Sequence, residues 1–139
     1  MSEMQKLLNS KAPKAQIRAE NERVILEAAE TIFAQHGFRG STMQMIADQA
    51  DLPKANVHYY FDSKKELYRR VVEQIFGIWL QAADSFEQSD NPAEALRRYI
   101  EQKMEISRLR KNGSKVWANE VMHGAPIIQD FLETQLTDW

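Results

Sequence analysis

The chain has 139 residues, of which 43% are hydrophobic, a composition that supports a packed core and excludes a disordered protein. It has no cysteine, which excludes a disulfide framework and a thiolate metal site, and no apolar run long enough to cross a membrane. The N-terminus lacks the apolar core of a signal peptide, so we expect a cytoplasmic protein, and the net charge of −2 is informative only when divided along the chain.

The first element predicted is a basic arm over residues 1–17. Residues 1–70 hold 11 Lys and Arg against 9 Asp and Glu, whereas residues 71–139 hold 7 against 11, so the basic half is the N-terminal one. The cations assigned to the arm are Lys6, Lys11, Lys14, Arg18 and Arg23. Such an arm can follow a DNA backbone or enter a minor groove. The alternative is a tail that only increases solubility.

Residues 24–61 predict three helices. The apolar face of the first runs from Val24 to Phe33, and Gly37 can cap its end. A short helix over residues 42–50 follows, capped by Ser41 or Thr42, with Ser41 and Gln44 at capping-box spacing. After a turn at residues 51–53, another short helix covers residues 54–61. Two short helices joined by a tight turn are a helix-turn-helix, which places its second helix in a DNA major groove.

The turn and the second short helix carry the chemistry. Asp51 falls where a positive φ is expected, and Pro53 favours the first turn of the next helix. Val57 and Phe61 are expected to be buried. Lysine meets phosphate or guanine, asparagine pairs with adenine, and tyrosine commonly binds phosphate. The predicted DNA-binding residues are Thr42, Gln44, Lys54, Ala55, Asn56, His58, Tyr59 and Lys64.

Plainer interpretations exist for some of these residues. In a pair of adjacent tyrosines, one ring often packs in the core while the other lies at its edge. Tyr60 is therefore expected to pack and Tyr59 to contact phosphate. Lys64 and Lys65 alone would be a solvated face. Lys64 also begins a helix that Ser63 and Glu66 can cap, where the free amides favour a backbone phosphate.

The rest of the chain also predicts helices. One long helix covers about residues 63–86, and Asn91 and Glu94 cap the next, with Pro92 in its first turn. We expect that helix to end at residues 112–113, a further helix to cover residues 114–123, and residues 124–126 to break it. No repeat, metal-ligand spacing, phosphate loop or nucleophile–base arrangement appears, so no cofactor, metal or catalytic residue is predicted and the protein is not expected to be an enzyme.

The helix-turn-helix resembles the DNA-binding signature of the TetR family of bacterial transcriptional regulators. The matching residues are Phe33, Gly37, Thr42, Ile46, Ala47, Ala50, Tyr59, Tyr60, Phe61, Ser63, Lys64 and Leu67. The chain departs from the family pattern at Asp51 and Pro53, where the family usually has glycine and serine. The resemblance implies an all-α fold, with a helix-turn-helix domain over residues 18–66 and part of a helical effector-binding and dimerisation domain over residues 67–139.

The second half predicts a pocket of aromatic walls with a few polar groups. The candidate effector-binding residues are Trp79, Tyr99, Lys103, Trp117, Asn119, Glu120 and His123. The alternatives are that Trp79 continues a core stripe and that Glu120 and His123 form a surface pair. Residues 78–80, 99–100, 107–108 and 119–126 resemble the subgroup of the family that controls pyrimidine utilisation, which implies uracil or thymine as the effector.

The resemblance implies a DNA-binding regulator, in most cases a repressor, that acts on a palindromic operator without a membrane partner and is a homodimer in the full-length protein. The alternative is a helical interaction or small-molecule-binding module that does not bind specific DNA. The sequence ends at Trp139 within an apolar helical pattern, so we expect a fragment of a longer protein. Its exposed apolar underside is then expected to be Ile128, Phe131, Leu132 and Leu136.

Overall fold

The computed structural model describes residues 13–87 and 91–136, and within these ranges it contains helices and no strand. The elements are α1 (Lys14–Gly40), α2 (Met43–Ala50), α3 (Lys54–Tyr60), α4 (Lys64–Glu87), α5 (Pro92–Leu109), α6 (Lys111–Met122) and α7 (Pro126–Leu136). The helices α1 and α4 form the centre, since α1 packs against α2, α4 and α6, and α4 packs against α5, α6 and α7. No described helix is long and apolar enough to cross a membrane.

Helix α1 begins earlier than the sequence predicts. Residues 14–17, assigned to the basic arm, already form its first turn, while Lys6 and Lys11 lie outside the described residues. The face from Ile25 to Phe33 is buried, as expected from its spacing. Gly37 has a φ of 72°, which is readily adopted only without a Cβ, and it redirects the chain into one last turn.

The helix-turn-helix forms as predicted, with one change at its start. Thr42 caps α2 by accepting a hydrogen bond from the Met45 N–H, and Asp51 ends α2 in the left-handed region at a φ of 56°. Ser41 is not the cap, and its capping box with Gln44 does not form. Its hydroxyl is buried and donates to the Gly37 carbonyl, with the Ile32 carbonyl oxygen 3.3 Å away, because the Gly37 kink brings these acceptors within reach.

Helices α5 and α6 meet at Arg110, so the predicted break at residues 112–113 is wrong. Gly113 lies inside α6 and is buried, and a Cβ there would lie 2.8 Å from the Glu30 Oε1 and 3.4 Å from the Ile75 Cγ1, so the Glu30 side chain would have to shift. The glycine therefore marks a helix crossing and not a helix end. Helix α4 runs unbroken through residues 66–67, the expected domain boundary.

Helix α7 packs onto the core and does not stand away from it. Gly124 and Ala125, with φ of 90° and 53°, turn the chain from α6 into α7. Ile128 is buried and Leu132 packs against the core, so the expectation that these two residues form an exposed underside is wrong. The side chains of Phe131 and Leu136 lie outside the described part of the structure.

Candidate nucleic-acid interface and effector region

Helix α3 presents almost its whole polar surface to solvent. Only Val57 is buried, and it anchors the helix on the core together with the next residue of that face, Phe61, which is 2% exposed. The predicted contact residues Lys54, Ala55, Asn56, His58 and Tyr59 are all exposed. The sequence pattern thus folds into a short helix held by one apolar edge, with its hydrogen-bonding groups free to meet a DNA groove.

The two predicted contacts on α2 are also exposed and have local partners. Thr42 uses its hydroxyl oxygen as the N-cap acceptor, at 3.1 Å from the Met45 nitrogen. Gln44 donates its side-chain amide to the Asp48 carboxylate at 2.8 Å. Both residues therefore lie at the solvent-facing start of α2, where the hydroxyl proton of Thr42 and the amide oxygen of Gln44 remain available.

Helix α1 braces the end of α3. Asn21 donates to the Tyr60 hydroxyl at 3.1 Å, and the Arg18 guanidinium lies 5.8 Å from the Tyr60 ring centroid and 6.0 Å from that of Tyr59. Tyr60 is half-buried, whereas Tyr59 is 71% exposed. The pair therefore divides as expected, with one ring packed and the other hydroxyl accessible.

The arginines of α1 differ in how far their guanidinium groups are already engaged by other side chains. Arg23, assigned to the arm, hydrogen-bonds Glu20 at 2.6 Å and Glu27 at 2.8 Å on its own helix, which occupies its guanidinium. The hydrogen bond with Glu20 is also the main cause that raises the pKa of Arg23. Arg18 instead contacts the two tyrosines described above and lies 3.6 Å from Glu22. Neither arginine belongs to a free arm, since both lie within α1.

Lys64 occupies a more structural position than the sequence indicates. Its ammonium donates to the Phe38 carbonyl at 2.7 Å and to the Ser41 carbonyl at 3.0 Å, and it lies 4.4 Å from the Phe38 ring centroid. These bonds satisfy two carbonyls at the end of α1 and tie the first turn of α4 to the segment before α2. One N–H of the ammonium is left for another acceptor.

The seven predicted effector residues do not line one pocket. Trp79 and Tyr99 lie together on α4 and α5, with the Lys103 ammonium 5.4 Å from the Trp79 ring and 4.8 Å from the Tyr99 ring. Trp117 stacks on Phe76 with a centroid distance of 5.7 Å. The remaining three residues, Asn119, Glu120 and His123, lie near the end of α6 and line a different cleft.

Glu120 is buried and accepts several hydrogen bonds, and it does not form a surface pair with His123. It is 3% exposed and accepts hydrogen bonds from the Tyr68 hydroxyl at 3.0 Å, the Ile127 N–H at 2.9 Å and the Ile128 N–H at 3.3 Å. It therefore satisfies the first amides of α7 from outside that helix. Burial and then the neighbouring Glu120 charge raise the pKa of Tyr68, so this hydroxyl stays protonated.

Asn119, Glu120 and His123 face a cleft of about 730 Å³, named here the α1–α6 cleft. Its lining consists of residues 34–39, Lys65, Tyr68, Asn119, Glu120, His123 and residues 126–127. The cleft is thus formed by the end of α1, the start of α4, the end of α6 and the start of α7.

A second region, the α4–α5–α6 crevice, contains two polar residues that the sequence did not single out. Its lining consists of Ile75, Ile78, Trp79, Ile106, Arg110, Gly113 and Ser114. The Ser114 hydroxyl is buried and has no hydrogen-bond partner in the described part of the chain. Arg110 lies between this crevice and α1, where it pairs with Glu30 at 3.0 Å. No sequence signal marks either residue, since both follow from how α5 and α6 meet.

The fold and the exposed surface of α3 together define a helix-turn-helix protein with a helical second half. Residues 25–71 match the family model of the bacterial regulatory proteins of the tetR family, and residues 72–139 match that of the YcdC-like protein C-terminal region. The protein belongs to the TetR family of bacterial regulators. The resemblance in the sequence and the all-α fold are confirmed.

Individual relatives agree with this assignment. The HTH-type transcriptional regulator RutR of Escherichia coli K12 is 39% identical over 114 residues, which are 82% of this chain and 54% of RutR. IcaR of Staphylococcus epidermidis, a negative transcriptional regulator of the biofilm operon icaADBC, is 34% identical over 40% of this chain and 30% of its own. The chain spans about half the length of RutR.

Two solved structures share the fold. A TetR-like transcriptional regulator from Rhodococcus sp. RHA1 has a TM-score of 0.76 at 23% identity and covers 90% of this chain and 66% of its own. A TetR family transcription regulator from Marinobacter aquaeolei VT8 has a TM-score of 0.71 at 26% identity and covers 89% and 66%.

Proposed function

We propose that this protein binds double-stranded DNA sequence-specifically as a transcriptional regulator and not as an enzyme. The observation that carries the proposal is the exposure of the α3 side chains of Lys54, Asn56, His58 and Tyr59 beside a single buried residue, Val57. Asn56 reads a base edge, Lys54 meets a guanine or a phosphate, and Tyr59 binds phosphate. Lys64 keeps one N–H that can reach a phosphate after its two internal bonds are made.

The regulator acts as a homodimer on a palindromic operator, and repression is the expected sign of control. Dimeric helix-turn-helix proteins place two recognition helices in successive major grooves, so their half-sites are separated by about one helical turn. The name of the relative IcaR describes it as a negative regulator, which supports repression here. Residues 18–66 form the DNA-binding domain and residues 67–139 belong to the effector domain.

The test is a selection from random duplex DNA with the purified protein, followed by fluorescence anisotropy of the enriched duplex and of a scrambled one. Specific binding predicts an enriched motif, a tighter dissociation constant for that duplex and a linear dependence of log affinity on log salt. Equal affinity for both duplexes at every salt concentration would leave the alternative, a helical interaction module without specific DNA binding.

The effector is a pyrimidine base, uracil or thymine, bound between the helices of the α4–α5–α6 crevice, which leave no space for even a water molecule in this structure and must separate to admit the base. Trp79 offers an indole face to a planar ring, and the unpartnered Ser114 hydroxyl can both donate and accept. The resemblance to the pyrimidine-responsive subgroup supports this choice. The predicted residues Tyr99 and Lys103 lie beside the indole, with the ammonium within 5.4 Å of both rings. Trp117, Asn119, Glu120 and His123 are not needed for this site.

Tryptophan fluorescence and thermal unfolding with uracil, thymine and cytosine test the effector. A ligand of the folded state adds about 2.7 kcal/mol of stability at a hundredfold excess over its dissociation constant. Ser114→Ala should weaken binding, since it removes the one free hydroxyl in the crevice, whereas the matched change Ser107→Ala alters an exposed residue of α5 and should not. Equal effects of the two changes, or no response to any base, would reject a pyrimidine in this crevice.

A further inference from the structure

The α1–α6 cleft is large enough for a small metabolite and is distinct from the α4–α5–α6 crevice, with which it shares no lining residue. At about 730 Å³ it falls within the size range of ligand sites. Its walls come from both halves of the chain: the end of α1 and the start of α4 adjoin the helix-turn-helix, while α6 and α7 belong to the second half.

The charged groups available in this cleft are basic. Arg39 and Lys65 are exposed, line the cleft and have no carboxylate partner in the described part of the chain. The acidic lining residue, Glu120, is buried and already accepts three hydrogen bonds from Tyr68 and the first amides of α7. An incoming ligand therefore meets two unpaired cations and a carboxylate that is turned inward.

Neutral polar groups and aromatic carbon complete the lining. The His123 Nδ1 lies 2.6 Å from the Asn119 carbonyl oxygen, which can only accept, so Nδ1 donates to it, and in that tautomer Nε2 is an acceptor. The Asn119 side chain and the His36 imidazole also line the cleft, and the Phe38 ring, 36% exposed, contributes apolar surface. Such a mixture suits a ring that bears an anionic group.

We propose that the α1–α6 cleft binds a small organic anion, a phosphate or carboxylate carried on a ring, with Arg39 and Lys65 as its charged contacts. Guanidinium and ammonium groups are the usual partners of both oxyanions. The same anion faces Asn119 and His123 of α6, so its binding ties the helix-turn-helix side of the cleft to the second half of the chain. This site is separate from the proposed pyrimidine crevice and does not depend on it.

The probes are benzoate, phenyl phosphate and inorganic phosphate, with neutral benzamide as the matched control for benzoate. Isothermal titration at constant ionic strength should show binding of benzoate or phenyl phosphate and none of benzamide. Which of the two ring-bearing anions binds more tightly distinguishes a carboxylate site from a phosphate site, and inorganic phosphate shows whether the ring contributes. No binding of either anion at concentrations up to ~10 mM, corresponding to a free energy weaker than about −3 kcal/mol, would overturn the proposal.

The position of the bound anion is tested by substitution and by backbone amide chemical shifts. Arg39→Gln and Lys65→Gln should each weaken the anion about tenfold or more, as expected for loss of a charge-assisted hydrogen bond. The matched change Lys115→Gln, on an exposed residue of α6 outside the cleft, should leave the affinity unchanged. Shifts should occur in the backbone amides of residues 36–39 and 119–123. Shifts confined to residues 54–59 would place the anion on the DNA-binding surface and contradict the proposal.

Discussion

Arg110 and Glu30, 80 residues apart in sequence, form an ion pair at 3.0 Å that joins the start of α6 to the middle of α1. The Glu30 side chain is only 12% exposed, and that of Arg110 is 41% exposed. Arg110 also lines the α4–α5–α6 crevice, and α1 braces the recognition helix through Asn21 and Tyr60. One ion pair therefore connects the proposed effector site to the helix that positions α3.

The first prediction concerns this pair. Arg110→Gln leaves a mostly buried carboxylate without its cation, so we expect a loss of about 1–3 kcal/mol in the free energy of unfolding. Because Arg110 is partly solvent-exposed, the coupling in a double-mutant cycle with Glu30→Gln should be near 1 kcal/mol, that is, about that of a well-placed surface pair. Urea denaturation measures both the loss of unfolding free energy and the coupling energy. The control Arg23→Gln removes two exposed pairs, with Glu20 and Glu27, and should leave the stability nearly unchanged. A zero coupling would contradict the assigned link.

The second prediction concerns Gly113. Glycine to alanine inside a helix usually stabilises by about 0.5–1 kcal/mol. Here the new Cβ would lie 2.8 Å from the Glu30 Oε1, and the other oxygen of that carboxylate, Oε2, pairs with Arg110 at 3.0 Å, which restricts how the side chain can move aside. Gly113→Ala should therefore destabilise the protein by about 1–2 kcal/mol, whereas in a Glu30→Ala background it should be neutral or stabilising. Thermal unfolding of the four proteins tests this. Stabilisation by Gly113→Ala in the wild-type background would show that the Glu30 side chain moves aside without loss.

The same glycine shows where sequence reasoning stops. Asn112 and Gly113 resemble a helix end, but the helix boundary lies at Arg110 because tertiary packing needs a residue without a Cβ at the α6–α1 crossing. By contrast, the turn at Asp51 was predictable, since its positive φ and the following proline are local properties. Local signals therefore located the helix-turn-helix, and long-range packing decided the later helix boundary.

The candidate sites also divide into features that depend on local sequence and features that depend on long-range packing. The exposed residues of α3 were predictable, because a short helix with one apolar edge buries that edge and leaves its polar residues exposed. The positions of the effector residues were not predictable, because long-range contacts place Glu120 against Tyr68 and the first amides of α7, whereas Trp79 lines the α4–α5–α6 crevice. Ser41 and Thr42 could both cap α2 on local grounds, and only the kink at Gly37 decided between them.

The third prediction concerns Lys64, which is half-buried. Lys64→Met keeps much of the apolar stem and removes the donor to the Phe38 and Ser41 carbonyls, so it should cost about 1–3 kcal/mol in unfolding free energy. Lys65→Met, at the adjacent exposed position, should change stability by less than about 0.5 kcal/mol. Chemical denaturation without DNA or other anions separates this structural role from the proposed phosphate contact. Equal small effects of the two changes would show that the Lys64 bonds contribute nothing.

The fourth prediction is a pH dependence at Tyr68. Burial raises the pKa of this hydroxyl above its ordinary value of about 10, with Glu120 as the second cause. The folded state therefore keeps its proton where the unfolded state releases it. The resulting contribution to stability is complete below pH ~10 and is lost as the pH rises towards the folded pKa, by at most about 1.4 kcal/mol per pH unit.

Urea denaturation of wild type and Tyr68→Phe between about pH 8 and pH 11.5 measures this contribution. Below pH ~9 the variant should be less stable by about 1 kcal/mol, because the hydrogen bond to Glu120 is lost. Above pH ~10 the wild type should lose stability faster than the variant, so the two curves converge. Parallel curves over the whole range would mean that the Tyr68 hydroxyl ionises equally in both states.

The last prediction concerns base discrimination by Asn56, which is exposed near the start of α3. An asparagine amide pairs with adenine through two hydrogen bonds, and such a pair contributes about 1–3 kcal/mol of discrimination against another base. Asn56→Ala should therefore lower affinity for the enriched duplex by that amount and equalise the four bases at one position of each half-site. The substitution should not change thermal stability, because the side chain is exposed in the described part of the structure, and Gln81→Ala on α4 serves as the matched exposed amide. Anisotropy titrations against the single-base operator variants give the answer. A uniform loss across all variants would place Asn56 on the phosphate backbone, and no loss at all would remove it from the interface.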